Sequence, residues 1–208
     1  DFFTKGHSRT LLAKKNIAAS FVVKGLSVLI NLALVPLTIN YVNPSQYGIW
    51  LTLSSIIAWF SFFDMGFGHG LRNKFTEAIA LNQLEKAKEY VSTTYFIIAI
   101  IFFVIWLVFF GLNFFIDWPY FLNAPQAMLE ELSLLAIIVF SFFCLQIVLK
   151  TINTILIADQ KPAVASFLDM LSQLIVLVTI YLLTLYTEGS IIYLGITVGA
   201  APIFISMI

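Results

Sequence analysis

Three ionisable residues stand inside long apolar runs of this chain: Lys24, Asp64 and Asp169. A charge at bilayer depth is costly, so it is expected to be paired, solvated in a cavity or functional. Around Lys24, the residues Ser20, Ser27, Asn31 and Thr38 recur at steps of three, four and seven, which places them on one helix face. Ser54, Ser61 and Asp64 continue such a face in a second run, and Ser166, Asp169 and Gln173 do so in a later one. Gln146 and Lys150 share a face in the run between. The chemistry open to these groups is ion pairing and hydrogen bonding in a water-accessible, partly charged cavity between helices. Each also has a plainer role. The long stems of Lys24 and Lys150 allow snorkelling to the headgroups. Asp64 can cap or pair near the interface, Asp169 can accept from a neighbouring helix, and membrane serines often only hold helices together.

Other chemistries lack their residues. The one cysteine, Cys144, lies in "VFSFFCLQIV", where it reads as a small apolar filler, and it excludes an internal disulfide. His7 and His69 are far apart, and no Cys/His spacing resembles a metal site. There is no phosphate loop, nucleophile elbow or zinc-protease helix motif, so neither a cofactor nor an enzymatic activity is expected. The net charge is zero, which gives no pull toward nucleic acid.

The elements that must position the polar residues are set by composition. The chain has 208 residues, 61% hydrophobic and 11% charged, with 21 phenylalanines. That is too much apolar surface for a soluble domain of this length to hide, so the solvent is a bilayer. Only helices suit an open-ended chain in lipid. Six spans are expected, at about 16–40, 46–68, 91–116, 131–157, 163–186 and 189–208, making an all-α membrane bundle. The connection at about 70–90 reads as an amphipathic helix lying on the membrane surface. Lys5, Arg9, Lys14, Lys15, Arg72, Lys74, Lys86, Lys88 and Lys161 all fall on one side, and the opposite loops carry only Asp117, Glu130, Glu131 and Glu188. The excess of cations marks the cytoplasmic side and holds the N-terminus there.

By helical rise, Lys24, Asp64 and Asp169 lie about 12, 6 and 9 Å from that side, in one layer that brings Lys24 within reach of Asp64. The glycines at 66, 68 and 70 are expected to end the second span beside Arg72 and Lys74. Pro36 is expected to kink the first span, as a hinge or simply to shape packing, and "NPSQYG" at 43–48 to turn into the second. Gly195 and Gly199 form a GxxxG that suits close helix packing. The third span has no polar stripe from Phe96 to Phe110 and should face lipid or deep packing. Residue 1 is Asp and the chain stops within an apolar run, so a piece of a longer protein is expected.

The stretch 24–80, with "VPLT", "YGIWLTLSS" and "DMGFGHGLRN", and the later "ILIADQKP", resembles the N-terminal region of Wzx-type polysaccharide flippases. These belong to the multidrug/oligosaccharidyl-lipid/polysaccharide exporter superfamily. The match is clearest over 24–90, weaker to about 175, and beyond that mainly one of hydrophobic pattern. The resemblance implies the N-terminal lobe of a two-lobed, MATE-like transporter in the bacterial cytoplasmic membrane. It implies flipping of an undecaprenyl-pyrophosphate-linked oligosaccharide to the outer leaflet by alternating access, for surface polysaccharide or O-antigen synthesis. Membrane lipids and the polysaccharide polymerase machinery would be its partners. Lys24, with Arg72 and Lys74 at the inner mouth, would meet the pyrophosphate. Asp64 and Asp169 would hold those cations or carry protons, and Asn31 and Gln173 would add polar contacts. A MATE-like drug or metabolite exporter and a membrane-embedded polysaccharide enzyme are the alternatives; the short outer loops, free of Arg, Lys and His, disfavour the enzyme.

Overall fold

The computed structural model describes residues 8–59 and 65–207, and every regular element among them is helical. The α-helices are α1 (Ser8–Val42), α2 (Pro44–Ala58), α3 (Met65–Ala80), α4 (Leu84–Asn113), α5 (Trp118–Leu122), α6 (Leu129–Ala158), α7 (Pro162–Tyr186) and α8 (Ile191–Ser206). Four segments are long and apolar enough to cross a membrane: Asn16–Val42, Leu84–Asn113, Gln126–Ala158 and Pro162–Tyr186. Even the 25 residues of α7 rise about 37 Å, more than the ~30 Å of a hydrocarbon core. They correspond to the first, third, fourth and fifth expected spans. α2 and α8, with 15 and 16 residues, rise only about 22–24 Å.

Local chemistry sets the boundaries. Asn43, at φ 75°, caps α2: its side-chain oxygen accepts from the Gln46 N–H at 3.0 Å, and Pro44 takes the first helical position. The expected turn over 43–48 is therefore a single capping residue followed by helix. α3 ends in a Schellman turn, where the N–H groups of Gln83 and Asn82 reach the carbonyls of Ala78 and Ile79, with Asn82 left-handed at φ 58°. α6 ends the same way around Gln160, at φ 60°, before Pro162 opens α7. The Asn82 turn splits the amphipathic helix expected over 70–90. Its first part is α3, and Lys86 and Lys88 belong to the first turns of α4.

The glycine run also departs from expectation. Gly66, Gly68 and Gly70 lie inside α3 rather than ending a span. A Cβ on Gly68 would stand 3.6 Å from the Thr154 hydroxyl, so close packing on α6 accompanies a helix that glycine alone disfavours. Asp64 and Ser61, and with them the expected Lys24–Asp64 pair, lie outside the described residues.

α6 is the most buried of the four long helices and α1 the least. The core gathers along α6 at Leu132, Leu135, Ala136, Phe140 and Ile147. α8 packs on α6 through Gly195 and Gly199, as the GxxxG spacing predicts: a Cβ on Gly195 would stand 2.7 Å from Leu135 Cδ1, and one on Gly199 2.6 Å from Phe142 Cγ. Gln146 Nε2 donates to the Gly199 carbonyl at 3.0 Å across the same contact. α4 is held to α6 by stacked Phe109 and Phe140 rings, 3.9 Å between centroids, and by Trp106 Nε1 donating to Ser141 Oγ at 2.8 Å.

α1 lies antiparallel on α7 and is tied at both ends. Asn16 Nδ2 donates to the Gln160 carbonyl at 3.0 Å, and the Tyr41 and Thr187 hydroxyls pair at 3.1 Å. Phe21, Leu29 and Leu32 of α1 are exposed, as are Phe96, Phe103, Leu107 and Val108 of α4. The third expected span therefore turns its apolar face outward. Apolar patches of this extent suit hydrocarbon rather than water. Pro36 and Pro202 lie inside α1 and α8, and both helices run on through them.

Candidate functional site

A cavity of about 550 Å³ opens between α1, α2, α6, α7 and α8. Helical periodicity brings its lining together. Asn31, Leu34, Val35 and Thr38 come from one face of α1, and Asp169, Ser172, Gln173, Val176 and Ile180 from one face of α7. α6 contributes Lys150, α2 contributes Tyr47 and Trp50, and α8 closes the apolar side with Leu194, Val198 and Pro202.

The ties between α1 and α7 fix the levels of the polar groups. Asn31 lies about 22 Å above Asn16 along α1, and Gln173 lies about 20 Å above Gln160, so the two amides face the cavity at one height. Lys150 and Asp169 lie lower, each about 10–12 Å from its helix end at the α6–α7 turn. Both are exposed to the open cavity, and no ion pair joins them. Asp169 Oδ1 instead accepts from Asn153 Nδ2 of α6 at 3.2 Å. That contact realises the plainer role open to Asp169 from the sequence.

Five side chains with polar groups line the cavity without a hydrogen-bond partner among the described residues: Lys150, Asn31, Gln173, Tyr47 and Trp50. The Gln173 Oε1 atom is fully buried and unsatisfied, a condition that costs about 1–3 kcal/mol unless a water or ligand donates to it. Ser172 is already satisfied, because its hydroxyl donates to the Leu168 carbonyl at 3.1 Å. The cavity thus offers one ammonium, one carboxylate, two amides, a phenol hydroxyl and an indole N–H in a largely apolar wall. Such a set holds a polar or anionic ligand at a depth where water is scarce.

Of the residues singled out in the sequence, Asn31, Asp169 and Gln173 are brought together here. Lys24 is not. It lies two turns below Asn31, about 10 Å along α1, exposed and outside the lining, with no ion-pair partner among the described residues. The cavity cation is Lys150, whose long stem also suited snorkelling. Its spacing with Gln146 and Asn153, four and three residues away, was the available signal. Gln146 is spent on the α8 contact and Asn153 on Asp169. Sequence reasoning assigned no cavity role to Tyr47 and Trp50, which lie in the YGIWLTLSS stretch.

Arg72 and Lys74 lie on α3, exposed and away from the cavity. Lys74 Nζ pairs with Glu77 at 3.0 Å, and that hydrogen-bonded carboxylate holds the ammonium above its ordinary range. With Lys86, Lys88 and Lys161 they sit at the end of the bundle that carries the α6–α7 turn. Glu130, Glu131 and Glu188 sit at the other end. Among the described residues no cluster of His, Cys, Asp and Glu could hold a metal ion.

These features define an all-helical structure among the described residues, with four helices long and apolar enough to cross a membrane and a cavity with polar groups between α1, α2, α6, α7 and α8. No protein-family model matches the chain, and neither a curated protein nor a solved structure matches it.

Proposed function

We propose that this chain is a lobe of a membrane transporter that flips an undecaprenyl-pyrophosphate-linked oligosaccharide from the inner to the outer leaflet of a bacterial cytoplasmic membrane, by alternating access. The observation that carries the proposal is the cavity itself: an unpaired Lys150 with Asn31, Asp169 and Gln173 around it, among helices whose outer faces suit lipid. Asp169 shares the cavity but forms no ion pair with Lys150, and an ammonium left unpaired at bilayer depth needs a counter-charge. A lipid pyrophosphate supplies one, and its prenyl chain stays in the hydrocarbon. The resemblance of 24–80 to Wzx-type flippases selects this substrate over a drug or metabolite.

On this proposal α2 and α8 complete a six-helix lobe with the four long helices. The lysine- and arginine-rich end, with α3 along it, faces the cytoplasm. Lys24 then stands at the inner mouth, below the cavity. Arg72 and Lys74 lie on the inner surface as lipid-headgroup contacts rather than cavity groups. Pro36, in the outer half of α1, lacks an N–H for the Leu32 carbonyl and gives that helix a point of flexure as the cavity changes sides.

The test is complementation in a strain lacking this protein, scored by surface glycan at matched protein level. Lys150→Met is expected to lower export about 10- to 100-fold, the scale of one charge-assisted hydrogen bond. Lys24→Met is expected to retain most of it. Full export by the Lys150 variant would remove the cavity cation from the mechanism.

A further inference from the structure

A second cavity, of about 540 Å³, lies at the opposite end of the bundle from the α6–α7 turn, between the end of α4, residues 114–117 and the start of α6. It shares no lining residue with the first. A closed polar network fixes its floor. Asn113 Oδ1 accepts from the buried Trp118 indole at 2.8 Å, and Asn113 Nδ2 donates to Ser133 Oγ at 2.7 Å. The floor needs no ligand, and it holds α4, α5 and α6 around the opening.

The rim differs. Asp117 Oδ1 accepts from the Tyr120 N–H at 3.2 Å as the cap of α5, and its other oxygen has no partner among the described residues. Glu130 stands in the first turn of α6, where the helix dipole favours a carboxylate. Neither Glu130 nor the Gln126 amide has a side-chain partner among the described residues. The loops of this end, 41–45, 117–130 and 187–188, hold no Lys, Arg or His to neutralise it. Below the rim the lining turns apolar. Glu130, Leu134 and Ile137 follow steps of four and three, so they share one face of α6, which descends about 10 Å from the rim. Phe114 lines the same space.

A wall that grades from carboxylate to hydrocarbon matches an upright phospholipid of complementary charge. A primary ammonium brings three N–H donors to the acceptors of Asp117, Glu130 and Gln126. A metal ion fits less well, because no group of three His, Cys, Asp or Glu stands together among the described residues. A water-soluble polyamine would leave the apolar face of α6 unused, and an anionic lipid would set like charges together.

We infer that this cavity is a lipid site, which takes the primary ammonium headgroup of an aminophospholipid at Asp117 and Glu130 and one of its acyl chains against Leu134 and Ile137. The inference rests on the bilayer setting of the helices and not on the transported substrate. On the orientation proposed above, the lipid belongs to the outer leaflet.

The experiment is native mass spectrometry of the full-length protein in detergent. It is titrated at neutral pH with phosphatidylethanolamine, phosphatidylcholine or phosphatidylglycerol of identical acyl chains. The first phosphatidylethanolamine is expected to bind about fivefold more tightly than either other lipid, the upper scale of an exposed ion pair. Glu130→Gln combined with Asp117→Asn, which keeps an acceptor at the α5 cap, is expected to bring that ratio near one. Glu130→Gln alone, at an exposed side chain, reads the same loss where the double variant fails to assemble. Glu188→Gln removes a carboxylate of the same end outside the cavity and is expected to leave the ratio unchanged. Leu134→Trp, at a half-exposed position on the apolar wall, is expected to weaken all three lipids by a common factor. Phosphatidylethanolamine bound no better than either other lipid overturns the inference. So does a preference that survives loss of both carboxylates, or one that Glu188→Gln abolishes equally. None of these readings depends on export, so a failure of the flippase proposal is told apart from a failure of this one.

Discussion

Replacing Gly199 by alanine puts a methyl group into the α6–α8 contact. The new Cβ would stand 2.6 Å from Phe142 Cγ and 2.7 Å from Phe142 Cβ. The ring can turn, but its Cβ is fixed to the α6 backbone, so rotation does not relieve the overlap. α8 must retreat by about 0.7 Å to bring the 2.7 Å contact to an ordinary 3.4 Å. Overpacking of this kind costs about 1–3 kcal/mol. The retreat also stretches the Gln146–Gly199 hydrogen bond, now 3.0 Å, and an interhelical bond in a membrane protein contributes about 0.6 kcal/mol. The expected loss is therefore about 2–3 kcal/mol. Two controls calibrate it. Alanine at Gly195 meets Leu135 Cδ1 at 2.7 Å, the tip of a flexible side chain, and should cost about 1 kcal/mol. Alanine at Gly111, exposed on α4 with nothing within 4 Å, should be neutral or stabilising by up to about 1 kcal/mol. Equilibrium unfolding in mixed micelles, titrated with SDS, ranks the three. If Gly199→Ala proves as stable as Gly111→Ala, the helices do not meet at this distance and the argument fails.

Two further outcomes follow from polar contacts. Asn113→Ala removes the acceptor for the buried Trp118 indole, at 2.8 Å, and the donor to Ser133 Oγ, at 2.7 Å, so it should cost about 2–3 kcal/mol in the same unfolding assay. For Lys74, the Glu77 carboxylate raises the folded pKa above the ordinary 10.5, so the pair's contribution is fully present below that value and is lost only as pH climbs past it. Glu77→Gln should accordingly differ from wild type by a small offset that stays constant between about pH 6 and pH 9, the pair being exposed and screened; a difference that changes with pH within that window contradicts the assignment.

Much of the cavity was legible in the sequence because helical periodicity is a local property. Asn31 and Thr38 share a face of α1, and Asp169 and Gln173 share a face of α7, whatever those faces meet. The membrane-crossing lengths of α1, α4, α6 and α7 were legible too, since a long apolar run has few other fates. Boundaries were harder. The split between α3 and α4 turns on one asparagine in the left-handed region, and a Leu-Asn-Gln sequence signals that only weakly. The glycines of 66–70 read as a helix end because glycine disfavours helix by itself; α3 carries one of them, Gly68, beside Thr154 of α6, where a small residue permits approach.

Which lysine serves the cavity lay beyond local pattern. Lys24 and Lys150 both interrupt apolar helices and both have stems long enough to snorkel. The difference comes from partners far away in the chain. α1 packs on α7 through a tie between residues 16 and 160 and another between 41 and 187, and this lifts Asn31, not Lys24, to the open level. α6, held to α8 by two glycines and Gln146, turns Lys150 toward the same space. Composition and period by themselves determined that this chain is helical, that it has helices long and apolar enough for a bilayer, and that it carries polar stripes there. Only the tertiary packing decided which stripes meet, because a helix face is set by neighbours three and four residues away, and a cavity by helices more than a hundred residues apart.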